Sequence, residues 1–222
     1  INPNHKQAYD FLATAYLGVG QHQDAIASYK EAIASYKEAI RIKPDLVDAH
    51  YALGWNYGNS GQYQDAIASF KELIRIKPDH ADAHSSLGWN YKNLGRNEEA
   101  VAEYKEALRI KPDFPFAHSN LDKLEKKMTD AHYNLGVSFS EEGQHLEAIA
   151  SYKEAIRIKP DYAIAHYNLG NAYGKLGRSD EAIASYNEAL RIKPDYAEAH
   201  FNLGNTYHHL EQNKEAIASY KE

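Results

Sequence analysis

The segment EAIASYKEAIRIKPDYAIAHYNLGNAYGKLG, residues 147–177, returns with few changes as EAIASYNEALRIKPDYAEAHFNLGNTYHHLE at 181–211, a step of 34 positions (147 to 181). A third copy, DAIASFKELIRIKPDHADAHSSLGWNYKNLG, occupies 65–95. Self-similarity at a fixed period of this size marks a solenoid, in which each unit is too small to bury its own apolar face and stacks on its neighbours. Function in such a chain belongs to a surface built from several units.

Each unit carries two helical patterns. His50, Leu53, Gly54 and Tyr57 recur at helical spacing in the first, and Ala66, Phe70, Leu73 and Ile74 in the second. Gly61 marks the turn between them and Pro78 stops the second helix, with Arg75 and Lys77 at its negative dipole end. An acidic residue (Asp24, Asp65, Glu99, Glu147, Glu181, Glu215) suits the positive end of each second helix. Gly54 and Ala66 are small enough for close approach of the two helices, and Tyr57 and Phe70 are expected to fill the space between units. The unit is an αα-hairpin.

This small-large pattern resembles the tetratricopeptide repeat. Leu53, Gly54, Tyr57, Gly61, Ala66, Phe70 and Pro78 are followed in register by Leu87, Gly88, Tyr91, Gly95, Ala100, Tyr104, Ala107 and Pro112. The pattern returns as Leu135, Gly136, Phe139, Gly143, Ala148, Tyr152, Ala155 and Pro160, and as Leu169, Gly170, Tyr173, Gly177, Ala182, Tyr186, Ala189 and Pro194. The resemblance implies an all-α solenoid, a right-handed superhelix of antiparallel helix pairs whose concave face, lined by first helices, binds peptides. About six repeats are expected in one array over 1–222, at roughly 1–46, 47–80, 81–114, 129–162, 163–196 and 197–222, with an irregular helix at 115–130. Ile1-Asn2-Pro3-Asn4 reads as the tail of a unit and Lys221-Glu222 as the middle of one, so a longer parent protein is expected.

Two places break the period. ASYKEAI occurs twice in succession at 27–33 and 34–40, which lengthens one second helix by about two whole turns and keeps its apolar face in phase. His118 and His132 stand in equivalent columns only 14 positions apart (118 to 132). Lys126-Lys127 replaces the expected Pro-Asp, and Leu121, Leu124, Met128, Ala131 and Leu135 form an apolar stripe. One continuous helix from about Phe116 to about Glu142 is predicted; a short loop at Thr129-Asp130 is the alternative.

A net charge of −6 argues against a nucleic-acid or anionic-membrane binder. With no cysteine there is no thiol nucleophile or thiolate metal site, and no apolar run is long enough to span a bilayer, so a soluble protein is expected, its compartment open with a cytoplasmic one favoured. HExxH, GxSxG and phosphate-cradling glycine loops are missing, so neither catalysis nor a cofactor is expected. The histidine column (His50, His84, His118, His132, His166, His200) repeats at helix-packing distance, on the order of 10 Å. That is too far for shared metal ligation at about 2 Å, so packing at the helix seam is expected. His80 and His84 have the i, i+4 spacing of a metal face but lack a third ligand.

The residues that repeat packing leaves unexplained lie on one stripe of the first helices. It reads Asp48, Ala52, Trp55, Asn59; Asp82, Ser86, Trp89, Asn93; Asp130, Asn134, Val137, Glu141; Ile164, Asn168, Asn171, Lys175; Glu198, Asn202, Asn205, His209. A carboxamide both donates and accepts, so the rows Asn134, Asn168, Asn202 and Asn171, Asn205 can hold a peptide main chain largely independently of its sequence. The arrangement is similar to the asparagine ladder of O-linked N-acetylglucosamine transferases, which implies the binding mode alone. Trp55 and Trp89 align one unit apart, which suggests an aromatic shelf, with packing against the neighbouring first helix as the alternative, and Asp48, Asp82, Asp130 and Glu198 favour a basic partner. Those acids stand where chaperone-binding relatives carry lysine and arginine for a terminal carboxylate. The expected function is a non-catalytic scaffold for an extended peptide of a protein partner. Self-assembly by end-to-end stacking is the alternative, motivated by Ile217 and Tyr220 at an unpartnered helix face.

Overall fold

The computed structural model describes residues 3–222, which form twelve α-helices and, among the described residues, no strand. They are α1 Pro3–Gly18, α2 His22–Ile42, α3 Val47–Asn59, α4 Tyr63–Ile76, α5 Ala81–Asn93 and α6 Asn97–Ile110. α7 is Pro115–Glu141, α8 His145–Ile158, α9 Ala163–Lys175, α10 Ser179–Ile192, α11 Ala197–His209 and α12 Asn213–Lys221. The likeness of Ile1 and Asn2 to a unit's tail lies outside the described residues. Two compact units divide the chain, 1–124 and 125–222. No described helix is long and apolar enough to cross a membrane.

Within each unit, consecutive helices pair as hairpins. α4, α6, α8 and α10 have 14 residues each and α2 has 21, so the repeated heptad is absorbed as a longer helix. α7 runs unbroken for 27 residues, with no loop at Thr129-Asp130. Leu121, Leu124 and Met128 of its stripe are buried, whereas Ala131 and Leu135 are exposed. The tight turn after a first helix follows from one conformation: Gly61 sits at φ +81°, open to glycine at no steric cost. The amide of Gln62 then reaches back to the Tyr57 carbonyl at 2.8 Å.

The glycine on the first helix has a packing role more specific than close approach. A Cβ at Gly54 would meet the Phe70 ring at 2.9 Å, and one at Gly170 would meet the Tyr186 ring at 2.6 Å. Phe70 therefore lies on Gly54 of its own hairpin, and it also borders Ser86, Trp89 and Asn90 of the next first helix around a shared recess. Gly136 with Tyr152 and Gly204 with Tyr220 repeat the fit. The same column also serves stacking between hairpins: in the second unit Ile149, Tyr152, Leu169, Tyr173, Tyr186 and Leu203 form one buried cluster across α8 to α11. Each such side chain taken from water contributes about 1.5–3 kcal/mol.

The histidine column is a clasp across the loop between hairpins. Nε2 of His50, His118 and His200 lies 2.8 Å from the carbonyl oxygens of Pro44, Pro112 and Pro194, with His166 at 2.9 Å from Pro160 and His84 at 3.0 Å from Pro78. Each ring thus donates to the carbonyl of the proline that ends the preceding helix. His80 caps α5, its Nδ1 accepting from the Ala83 amide at 3.2 Å, and His84 is bonded to Pro78 and Glu103; these two rings have separate structural partners.

Candidate functional site

The stripe of unexplained residues lies along the first helices, and each unit presents a different surface there. In the second unit a groove of about 530 Å³ is lined by Asn171, Lys175, Tyr186, Asn202, Asn205 and His209, among others. Each of its carboxamides is tied to a tyrosine hydroxyl. Asn202 Nδ2 donates to Asn171 Oδ1 at 2.9 Å and to the Tyr167 hydroxyl at 3.1 Å, and Tyr186 donates to the same Asn171 Oδ1 at 2.8 Å. Asn168 Nδ2 donates to the Tyr133 hydroxyl at 3.1 Å, and the Tyr220 hydroxyl donates to Asn205 Oδ1 at 2.8 Å.

The chemistry of the row follows from which end of each amide is engaged. Asn168 and Asn202 are tied through nitrogen and leave Oδ1 as an acceptor; Asn171 and Asn205 are tied through oxygen and leave Nδ2 as a donor. Asn134 lies exposed on α7 and lines neither this groove nor the recess described next. The tyrosines are the residues that sequence reasoning missed. They come from an adjacent hairpin (Tyr133, Tyr167) or from the second helix (Tyr186, Tyr220), outside the stripe.

In the first unit the same face is aromatic. A recess of about 230 Å³ is lined by Gly54, Trp55, Gly58, Trp89, Asn90 and Phe116, among others. Trp55 and Trp89 therefore share one site, each set at a steep angle to a tyrosine: Tyr29 at 6.1 Å and 70°, Tyr63 at 5.8 Å and 74°. Phe116, half exposed at 50 %, was missed by the sequence reading. So was Asn120, although it stands two residues after His118 and thus in the asparagine column; its Oδ1 accepts from Lys92 Nζ at 3.1 Å.

The acids are exposed and line neither cavity. Asp48, Asp82 and Glu198 stand in the first turns of α3, α5 and α11, where the helix dipole favours a negative charge, whereas Asp130 lies in mid-α7. No group of three or more potential ligands for a metal ion occurs among the described residues.

Helix hairpins in register, with one repeated stripe left open along the first helices, define an α-helical repeat scaffold for protein interaction. Models described as TPR repeat match residues 26–60, 138–177 and 175–211, and models described as tetratricopeptide repeat match 51–115 and 7–40. The chain belongs to the tetratricopeptide repeat family. No curated protein matches it. Among solved structures it is similar to a crystal structure of MamA, at 26% identity and a TM-score of 0.39, covering 81% of this chain and 97% of that one. The TPR domain of P58(IPK) aligns at 19% identity and a TM-score of 0.43, over 96% of this chain and 58% of that one. The TPR2AB domain of yeast Sti1, in a complex with pHSP90, aligns at 16% and 0.42, over 98% and 89%.

Proposed function

We propose that the chain is a non-catalytic scaffold whose first-helix face binds an extended peptide segment of a partner protein, held through its main chain by the asparagine rows. The observation that carries this reading is the tethering of the carboxamides. The acceptor at Asn202 and the donors at Asn171 and Asn205 line an open groove, Asn168 stands one turn before Asn171 on the same helix, and an extended peptide offers alternating N–H and C=O groups to such a set. The hydroxyl ties also fix the amides before binding, which reduces the ordering cost of association. Asn134, one hairpin earlier in the column, extends the row.

A peptide-array screen with the full chain, repeated after Asn134, Asn168 and Asn202 are changed to Ala, tests the reading. Each lost hydrogen bond weakens binding by about 0.5–1.5 kcal/mol, so the triple variant is expected to lose at least tenfold. Unchanged affinity removes the asparagine rows from the account. A second reading, association of one copy with another, is favoured by the exposed Phe201, Ile217 and Tyr220 of α11 and α12. Sedimentation equilibrium decides it: a monomer at all concentrations removes that reading.

A further inference from the structure

We propose that the recess between Trp55 and Trp89 is an arginine-binding site, which takes the guanidinium of a basic segment of the partner peptide. The proposal deepens the scaffold reading and rests on it. Glycine lets the walls of the recess close on α3: a Cβ on Gly54 would strike the Phe70 ring at 2.9 Å, and one on Gly58 would meet Asn90 Oδ1 at 3.0 Å and Trp89 at 3.3 Å. Trp55, Trp89 and Phe116 supply ring surface around the recess.

The occupant's charge follows from what surrounds the recess. No residue lining it, or lining the adjoining hollow of Asp10, Phe11, Tyr51, Ala52 and Trp55, is a lysine or arginine. α3 carries Asp48 and no lysine or arginine; α5 carries Asp82, Lys92, which is turned to Asn120, and His84, whose ring is held by Pro78 and Glu103. Asp48 and Asp82 stand on the same stripes as Trp55 and Trp89, two turns before them. The arginines of the second helices have partners of their own, Arg41 with Glu38, Arg75 with Glu72 and Arg109 with Glu106. A face with acids, rings and no free cation complements a positive group.

The chain already uses this chemistry on its other rings. The Arg96 guanidinium lies 4.6 Å from the centre of the Tyr91 ring and that of Arg178 4.7 Å from Tyr173, while Lys37 stands 5.4 Å over Tyr57. Among the described residues no cation stands over Trp55 or Trp89, although indole is the strongest aromatic partner for one. The wall of the recess adds an acceptor without a donor. Asn90, 1% exposed, gives its Nδ2 to the Ser86 carbonyl at 2.8 Å, and its Oδ1 has no hydrogen-bond partner. A group that is flat, cationic, weakly hydrated and rich in N–H donors satisfies all three features. Guanidinium does so, whereas an ammonium is compact and strongly hydrated.

The chain has two tryptophans, both in this recess, so its two indole N–H resonances report on the site alone. The ¹⁵N-labelled full chain is titrated with acetyl-Gly-Gly-Arg-Gly-Gly-amide, and with the same peptide carrying citrulline or leucine in place of arginine. Both indole signals are expected to move saturably with the arginine peptide. Binding of the citrulline peptide, which keeps the shape and loses the charge, is expected to be weaker by about fivefold, the size of one cation–π contact. Trp89→Leu is expected to weaken arginine binding to a similar extent, and Asp82→Asn to lower its sensitivity to salt. Equal responses to citrulline or leucine overturn the proposal in favour of a plain apolar recess. If the side-chain amides of Asn171, Asn202 and Asn205 move while both indoles stay still, the arginine site falls and the scaffold reading stands. If no indole moves at millimolar peptide the arginine site falls, and the triple asparagine variant decides the scaffold reading separately.

Discussion

The imidazole Nε2 of His166 lies 2.9 Å from the carbonyl oxygen of Pro160, six residues earlier and across the loop that joins two hairpins. Proline ends the helix there and its carbonyl, turned out of the helical ladder, needs a donor. The histidine that opens the next hairpin supplies it. The relationship recurs at His50, His84, His118 and His200, so the column repeats because the loop repeats. At His132 the residue six positions back is Lys126, in mid-α7, whose carbonyl belongs to the helix itself.

Replacing His166 by Ala is expected to lower stability by about 1–2 kcal/mol, from one lost hydrogen bond and the buried ring removed with it. His132→Ala, which breaks no such clasp, is expected to cost less. Hydrogen exchange of the amides around 160–166 is the local readout. Equal effects of the two substitutions would remove the clasp from the account.

His84 has two acceptors where the other clasps have one. Its Nε2 faces the Pro78 carbonyl and its Nδ1 lies 2.7 Å from Glu103 Oε2, two acceptors that together favour the protonated ring. Burial pulls its pKa down, but the bonds to Glu103 and Pro78 and the charges of Glu103 and Glu106 outweigh that and raise it. A raised folded-state pKa gives stability that is fully present below the unfolded value, about 6.5, and is lost as pH rises through the folded value. The thermal midpoint is therefore expected to fall as pH is taken upward from about 6, and Glu103→Gln is expected to flatten that slope. An imidazole titration of His84 by NMR at or below the ordinary value contradicts the assignment.

Much of this fold is legible because the repeat states its rules several times. The 34-residue step, the turn at Gly61, the heptad inserted into α2 and the continuity of α7 all follow from column register, which averages over local accidents. Pairings that cross between columns are not legible in this way. The sequence shows His166 but not that its partner is a backbone atom across a loop. It shows Asn202 but not that Tyr167 of the preceding hairpin engages its nitrogen. Phe70 reads as a filler of the space between units, and the sequence does not show that its ring also lies on Gly54 of its own hairpin. Asn120 was within reach, since His118 fixes its register, yet the irregular spacing that follows hid the column.

One pairing across columns tests how closely the hairpins are matched. Tyr186 and Tyr220 direct their hydroxyls to Asn171 and Asn205; where Trp55 takes that column the second helix carries Phe70, which has no hydroxyl. Tyr104, opposite Trp89, breaks the match: its hydroxyl is buried with no partner, and burial pushes its pKa well up. Tyr104→Phe is expected to raise stability by about 1 kcal/mol and Tyr186→Phe to lower it by a similar amount, because the first removes an unmet donor and the second a made bond. Urea unfolding midpoints that move in the same direction for both would contradict this account.

The turn between α11 and α12 is the remaining irregularity, and its consequence is local. Gly20, Gly61, Gly95, Gly143 and Gly177 all close their turns with φ between +70° and +81°, and in the last hairpin Glu211 takes that position at φ +60°. The loop still closes, with the Gln212 amide 2.9 Å from the Tyr207 carbonyl, so the left-handed conformation is imposed on a residue that has a Cβ. Such a conformation costs an L-residue roughly 1–2 kcal/mol. Glycine would remove that cost and give back about 0.5–1 kcal/mol through its greater freedom in the unfolded chain. Glu211→Gly is therefore expected to stabilise the α11/α12 hairpin by about 0.5–1 kcal/mol, and Gly177→Ala to destabilise the α9/α10 hairpin by a comparable amount. The readout is amide exchange in α12 and α10, since a repeat array opens locally before it unfolds as a whole. Slower exchange throughout α12 in Glu211→Gly is the expected result; faster or unchanged exchange there would show that the Glu211 turn is not strained.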